Sequence, residues 1–152
     1  YVDRDSIPEA KLIFIEHVPP DVLWQPHLLD HPNGAVKLAE VALCVPDKGD
    51  TCARFSKLLG REPKDLNPEF SAYEMERGRV YVLSETGMAS WAPGVTAPAL
   101  PYVAGFGVEV TDLAATRAYL DGKGVTVHDH PYPAIWVGPE FTNGPVVSFI
   151  QG

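Results

Sequence analysis

A single carboxylate breaks the apolar run at residues 39–45 (AEVALCV). Burying an ionised Glu40 there is costly unless the group is paired or protonated. Its presence asks for a partner: a metal ion, an arginine such as Arg79, or a substrate proton. A carboxyl group with a raised pKa would suit a general base, whereas a Glu40 at the end of a sheet, facing water, needs no partner. Tyr81, in RVYVLS, carries a phenol that can donate to a developing oxyanion or sit at the rim of a packed core with its hydroxyl wet. His128 and His130 are two apart and can share a strand face as metal ligands do. Asp129 and Pro131 put them at a strand end, where solvated polar residues are the alternative. His27 and His31 fall in a proline-broken connector, in which His31 can buttress the Asn33-Gly34 turn. Trp24, Trp91 and Trp136 are candidate walls for an apolar or aromatic ligand, Trp136 the best placed because it adjoins the last hairpin; core packing is the competing use.

Such residues need a scaffold, and composition bounds it. The chain has 152 residues, 45% hydrophobic and 21% charged, the proportions of about one folded domain. At this length folding hides roughly 68–70% of the unfolded surface, enough for a core without staples. A formal charge of −8 and a pI near 5.0 repel phosphate backbones and anionic lipids, which argues against nucleic-acid and membrane partners. Cys44 and Cys52 are too few for a disulfide framework and read as free thiols of a reducing, cytoplasmic compartment. No apolar run approaches the roughly 20 residues that span a bilayer, and the opening residues lack a secretory signal. The chain begins at Tyr1 rather than Met, which reads as a piece of something longer.

Fifteen prolines, nearly twice the usual share of about 5%, cluster at connections and ration the regular elements. Residues 11–17 (KLIFIEH) and 39–45 are rich in β-branched and apolar types and read as strands. The segment between them, with four prolines and the Asn33-Gly34 turn, reads as a loop with at most one helical turn. Residues 47–60 form an amphipathic helix, with Asp50 as N-cap, Phe55, Leu58 and Leu59 at helical spacing, and Gly60 as the stop. Residues 70–75 and 79–84 flank Glu76-Arg77-Gly78 as a hairpin. After a linker, ETGMASWAPGVTAPALP, the order recurs: a strand at 105–110 (GFGVEV), a helix at 112–124 capped by Thr111 or Asp112, a strand at 125–128, and a closing hairpin of 134–137 and 146–151 around residues 140–144. The offset between copies is 65 residues, from Glu40 to Gly105, as expected of an internal repeat.

One helix cannot cover both faces of its strands, so two such units pair and turn their uncovered faces toward a shared cleft. Alternation then assigns faces. Val41, Leu43 and Val45 meet the first helix, leaving Glu40, Ala42 and Cys44 inward. Phe106, Val108 and Val110 meet the second, leaving Gly105, Gly107 and Glu109 inward. On the closing strands Tyr81 and Leu83, and Val146, Ser148 and Ile150, face the cleft.

AEVALCVPD, RVYVLSE, GFGVEVTDL and GPVVSFIQ together resemble the paired βαβββ modules of the vicinal oxygen chelate superfamily, more narrowly its glyoxalase-like domain proteins, over residues 38 to 152. The resemblance implies an α+β fold of two paired βαβββ modules whose curved, mixed and antiparallel sheets form a shared cleft. Its parts are module one at 38–88, a linker at 89–101 and module two at 102–152. The opening FIEHVPPDVLWQPHLLDHPNGA resembles the closing strand and connector of an upstream module, which makes residues 1–37 the tail of one and the chain a fragment. Metal-dependent members draw ligands from the first and last strands of each module; those four slots hold Glu40, Tyr81, Gly105 and Ser148, of which Glu40 alone is a good ligand. A divalent metal would then need ligands from an upstream module or a second chain. Glu16 occupies the Glu-like slot of the incomplete upstream module, with His17 beside it; strand neighbours point to opposite faces, so one of them enters the cleft.

The resemblance implies binding of a small oxygenated or aromatic molecule, with lyase, isomerase or dioxygenase chemistry as the range. Glu40 and Tyr81 would be catalytic, and Glu16, Cys44, Glu109, Trp136 and Ser148 would touch substrate. The alternatives are a metal-independent sequestering module and a non-catalytic structural or dimerising one. A homodimer is expected if residues 11–17 pair with a second copy, because a bare apolar edge is an aggregation hazard.

Overall fold

Alternating apolar residues build the central strands, and short amphipathic runs with acidic caps build the helices. The computed structural model describes every residue except Tyr1, Arg4, His17, Pro20, Asp21, Leu23 and Pro131. The first unit comprises β1 (Ala35–Cys44), α1 (Lys48–Leu59), β2 (Lys64–Asn67), β3 (Phe70–Met75) and β4 (Gly78–Leu83); α2 (Glu85–Trp91) follows it. The second comprises β5 (Tyr102–Val110), α3 (Leu113–Gly122), β6 (Val127–Asp129), β7 (Ala134–Val137), α4 (Pro139–Thr142) and β8 (Val146–Gln151). A 3-10 turn, Pro26–Leu28, interrupts the expected connector.

All eight strands join one open, curved α+β sheet in the order β2-β3-β4-β1-β5-β8-β7-β6. β1 and β5 run antiparallel at its centre, and each is parallel to the closing strand of its own unit. Glu40 lies opposite Gly107 and Ala42 opposite Gly105. The 65-residue offset carries Glu40 to Gly105 and Ala42 to Gly107, so it maps this central pairing onto itself, as two-fold-related modules require. Both units are βαβββ.

The predicted faces hold where the core can be read. Leu43 and Val45 pack with Phe55 of α1, Tyr73 and Val82. Val108 and Val110 pack with Leu113 and Leu120 of α3. On the opposite face Ala42, Cys44, Leu83, Val146 and Trp136 form a third cluster.

Several expectations are corrected. Lys11 to Glu16 form no strand, and His17 lies outside the described residues. Lys11 to Glu16 take no place in the eight-stranded sheet, whose edge strands are β2 and β6, and a strand without a ladder partner has no hydrogen bonds to hold it. Instead Val2 N–H bonds Leu12 C=O (3.1 Å), and Ile7 tucks against the α1 side of the sheet. Asp47 rather than Asp50 caps α1, accepting from Asp50 N–H at 2.8 Å. Gly60 stops α1 with φ +64°, a left-handed conformation that suits glycine. Asp112 caps α3. The segment read as linker contains α2, whose N-cap Ser84 accepts from Gly87 N–H at 3.1 Å, and α4 sits inside the expected closing hairpin. β2 was not anticipated.

Candidate functional site

Glu40 is the centre of the site. It stands on the inner face of β1 with its side chain only 11% exposed. Its neighbour in register on β4 is Arg79, whose Nη1 donates to Glu40 Oε1 at 3.3 Å. Tyr81, two residues along β4, donates its hydroxyl to the same oxygen at 2.9 Å. Strand alternation is what places Arg79 and Tyr81 on one face. Arg79 Nε also pairs with Glu74 (3.0 Å) on β3. Burial, reinforced by the Glu40 charge, pushes Tyr81 up to about 12, so at neutral pH its phenol is a committed donor. Hydrogen bonding with Tyr81 and with Glu74 raises Arg79 above its ordinary value.

The two oxygens of Glu40 are therefore not equivalent. Oε1 carries the Tyr81 and Arg79 bonds, and Oε2 lies over Gly107, where a Cβ would come within 2.6 Å of it. A side chain on Gly107 would also fall 2.7 Å from Glu40 Cβ, so the glycine is what allows the carboxylate to lie across β5. Gly105 does the same for the Trp91 ring, which a Cβ would meet at 2.5 Å.

A hollow of about 210 Å³ opens beside Glu40, lined among others by Lys37, Arg77, Arg79, Glu109 and Ile150. Lys37 and Glu109 form an ion pair at 2.8 Å across the β1–β5 seam. Counting by twos from Glu40 would put Leu38 on this face. A bulge between Leu38 and Glu40 shifts the phase and presents Lys37 instead. The other end of the inner face is filled: Met88, Trp91 and Ala92 pack on Ala42, Cys44 and Val146.

The predicted residues thus separate into groups. Glu40, Tyr81 and Arg79 are in direct contact, and Glu109 lines the same hollow. Ser148 and Trp136 are on the same face but buried; Ser148 Oγ donates to Phe106 C=O at 3.4 Å, and Trp136 stacks on His128 with centroids 4.1 Å apart. Cys44 is fully buried, and burial pushes its thiol up to about 11, which makes it an inert packing group rather than a surface the ligand reaches. Glu16 is exposed, outside the sheet. Cys44 and Cys52 are both free thiols. Lys37 and Arg77 were missed as site residues, and His130 was weighed only as a metal ligand beside His128; the charge of Glu40 is felt at His130, a proximity created by the return of the chain after β6, which spacing does not encode.

No family model matches the chain, and no curated protein does. Solved structures do. Methylmalonyl-CoA epimerase from Mycobacterium tuberculosis is similar over 78% of this chain and 89% of its own, at 13% identity and a TM-score of 0.57. A hypothetical protein from Bacillus halodurans C-125 is similar over 76% and 94%, at 14% identity and 0.56. A Streptomyces coelicolor methylmalonyl-CoA epimerase variant in complex with 2-nitronate-propionyl-CoA is similar over 78% and 95%, at 14% identity and 0.56. This is the vicinal oxygen chelate fold. Among the described residues no group of three or more His, Cys, Asp or Glu could hold a metal ion, and the positions to which the resemblance assigns metal ligands, Glu40, Tyr81, Gly105 and Ser148, are not a donor set that fits a divalent ion. No helix among the described residues is long and apolar enough to cross a membrane.

Proposed function

We propose that this vicinal oxygen chelate protein binds a small oxygen-bearing acid or its thioester and moves a proton at the carbon beside the carbonyl, an isomerase-type reaction with Glu40 as base. The observation that carries the reading is the asymmetry of the Glu40 carboxylate: Oε1 is held by Tyr81 at 2.9 Å and Arg79 at 3.3 Å, while Oε2 accepts no hydrogen bond from a described residue. The two donors fix the carboxylate, and Oε2 takes the substrate proton. Tyr81 and Arg79 stabilise the charge that returns to Glu40 when the proton is given back, to the opposite face of the carbon if the planar intermediate has turned over in the hollow. Of the three cations that line the hollow, Lys37 is paired with Glu109 and Arg79 with Glu40 and Glu74, which leaves Arg77 as the group to meet an anionic end of the substrate. The epimerase neighbours, one of them with a CoA-ester ligand, support this class, and with it the idea that the hollow takes the acyl end of such a molecule.

The test is deuterium uptake. Incubated in D2O with thioesters bearing an acidic α-hydrogen, methylmalonyl-CoA first, the chain should catalyse exchange seen by mass spectrometry, and Glu40→Gln should lower the rate by about 10²–10⁴-fold. No uptake above the spontaneous rate with any such thioester, or equal uptake with Glu40→Gln, sinks the reading.

A second reading, metal-independent binding without turnover, is favoured by one observation: Met88 and Trp91 of α2 fill the other end of the inner face, and the hollow beside Glu40 is about 210 Å³. It predicts ligand-induced quenching of tryptophan fluorescence with no exchange. Cytoplasmic residence and a homodimer belong to the proposal as well. The first suits two free thiols. The second suits the exposed Ile13, Phe14, Ile15 and Trp24 and is checked by sedimentation. The origin of residues 1–37 in an upstream module stands on the same footing.

A further inference from the structure

Two buried N–H groups on the second module's side of the cleft make no hydrogen bond to a described residue. Trp136 is 5% exposed, yet its Nε1 makes no hydrogen bond to any described residue. His130 Nε2 is buried and in the same condition. An indole nitrogen can only donate, and leaving such a donor buried and unpaired costs about 1–3 kcal/mol. Phenylalanine would fill the Trp136 position without that cost, so the N–H asks for a use.

Their placement gives one. Glu40, Gly107, Ser148 and Trp136 are successive neighbours in register across β1, β5, β8 and β7, so they share one face of the sheet. Gly107 has no side chain, and the Ser148 hydroxyl is turned to the Phe106 carbonyl. The floor between the Glu40 carboxylate and the indole is therefore low and offers the indole no acceptor. His130 follows β6, the strand next to β7. Tyr132 N–H points at His130 Nδ1 (3.4 Å), which leaves the proton of the neutral ring on Nε2. Burial lowers the imidazole's pKa; the Glu40 charge and the nearby Trp91 carbonyl oppose it, the carbonyl without reaching hydrogen-bond geometry at Nε2, so the ring is a neutral donor near pH 7.

We propose that Trp136 Nε1–H and His130 Nε2–H are the oxygen-binding side of the cleft, donating to a carboxylate or to the polarised carbonyl oxygen of an ester on which charge develops. The inference rests on the reading of Glu40 as the base and assigns the groups across from it. In this chain neutral N–H donors then supply the electrostatic stabilisation of the oxyanion. One face of the cleft would take the proton and the other would hold the oxygen that receives its electron pair.

The probe is malonate, added to the ¹⁵N-labelled full chain while the indole N–H resonances of Trp24, Trp91 and Trp136 are followed. The Trp136 signal should move downfield and saturate while that of Trp24 stays in place. Trp136→Phe and His130→Ala should each weaken malonate binding about tenfold, the loss expected for a hydrogen bond to a charged group, and His130→Gln, which keeps a donor, should recover part of it. A Trp136 resonance unmoved at saturating malonate overturns the proposal, as does wild-type affinity in both Trp136→Phe and His130→Ala, which would place malonate on the arginine rim. If Trp136→Phe does not fold, the wild-type titration and His130→Ala decide alone. The two readings fail separately. A responding indole in a protein without deuterium exchange sinks the Glu40 reading and spares this one; exchange with a silent indole does the reverse.

Discussion

The two modules share one topology and divide the chemistry unequally. Around Glu40 the first supplies charged side chains, Arg79 and Glu74, which line the hollow, and the Tyr81 hydroxyl, which is bonded to Glu40. At the equivalent sheet positions the second supplies glycine and valine: Gly105 and Val146 are paired as Glu40 and Arg79 are, while Ser148 and Trp136 stand where Tyr81 and Ala72 stand. Duplication keeps the backbone because each module must bury the same helix against the same alternating strands. Facing side chains are under no such constraint, so one half can become the charged wall and the other the smooth, donor-bearing wall. The two glycines of β5 are what allow groups from outside the second module to lie on its surface.

The strongest way to break that contrast is to give the smooth wall a side chain. A Cβ at Gly105 would run into the Val146 backbone carbonyl and meet the Trp91 ring at 2.5 Å. The ring can swing and the carbonyl cannot, so Gly105→Ala should cost about 3 kcal/mol or more, above the usual range for overpacking. Gly107→Ala meets the base and stem of the Glu40 side chain, 2.7 Å at Cβ, and should cost about 1–2 kcal/mol while moving the carboxylate off its Tyr81 and Arg79 bonds. Urea unfolding followed by fluorescence ranks them. If Gly107→Ala proves the more destabilising, the β1–β5 seam yields less than the β5–β8 one and the contrast is misdrawn.

Alkaline pH sharpens the comparison at smaller amplitude. Tyr81 and Tyr73, both in the first module, are pushed from 10.0 up to about 12 mainly by burial. A pKa raised on folding means the folded state holds its proton longer. The stability linked to each phenol is whole below pH 10 and is lost as pH rises from 10 to about 12. Stability should therefore fall steeply across that window, and Tyr81→Phe should flatten the fall by removing one of the two phenols. At pH 7 Tyr81→Phe should cost about 1 kcal/mol for the bond to Glu40. A wild-type profile flat to pH 12 would mean that the first module's wall is wetter than its burial indicates.

The legibility of these walls followed from how locally each feature is encoded. Residues 39–45 and 105–110 alternate cleanly, so the faces of Glu40, Leu43 and Val108 and the relation between the halves could be read from period and offset. Tyr81 and Arg79 could be placed near Glu40 by the same arithmetic. β2 could not, because Lys64 to Asn67 are all exposed and carry no buried stripe; the strand exists because β3 offers an edge. Nor could α2: its Gly87-Met88-Ala89-Ser90 core has weak propensity and is held by the Ser84 cap and by packing on the inner face. Residues 11–16 were misread for the opposite reason, since apolar and β-branched composition does not make a strand without a ladder partner. His130 and Trp91 entered the site through such non-local contacts, which is why a reading by spacing put Glu16 and Cys44 on the list and left His130 off.

The smallest effect concerns the seam itself. Lys37 and Glu109 are cross-strand partners joining β1 to β5, with 52% and 23% of their side chains exposed. Most of the Coulomb attraction of so wet a pair is offset by hydration and by the entropy of holding Lys37 still. Lys37→Ala should cost no more than about 0.5 kcal/mol, and the difference from wild type should shrink in 1 M salt, where the Debye length drops to about 3 Å. Arg79→Ala is the paired control. Its partner Glu40 is 11% exposed, and losing that cation leaves a desolvated carboxylate supported by Tyr81 alone, so its cost should exceed that of Lys37→Ala and persist in salt. If the two variants behave alike in urea at both ionic strengths, Glu40 is no more committed to a partner than a surface glutamate, and the first module loses its claim to be the charged wall.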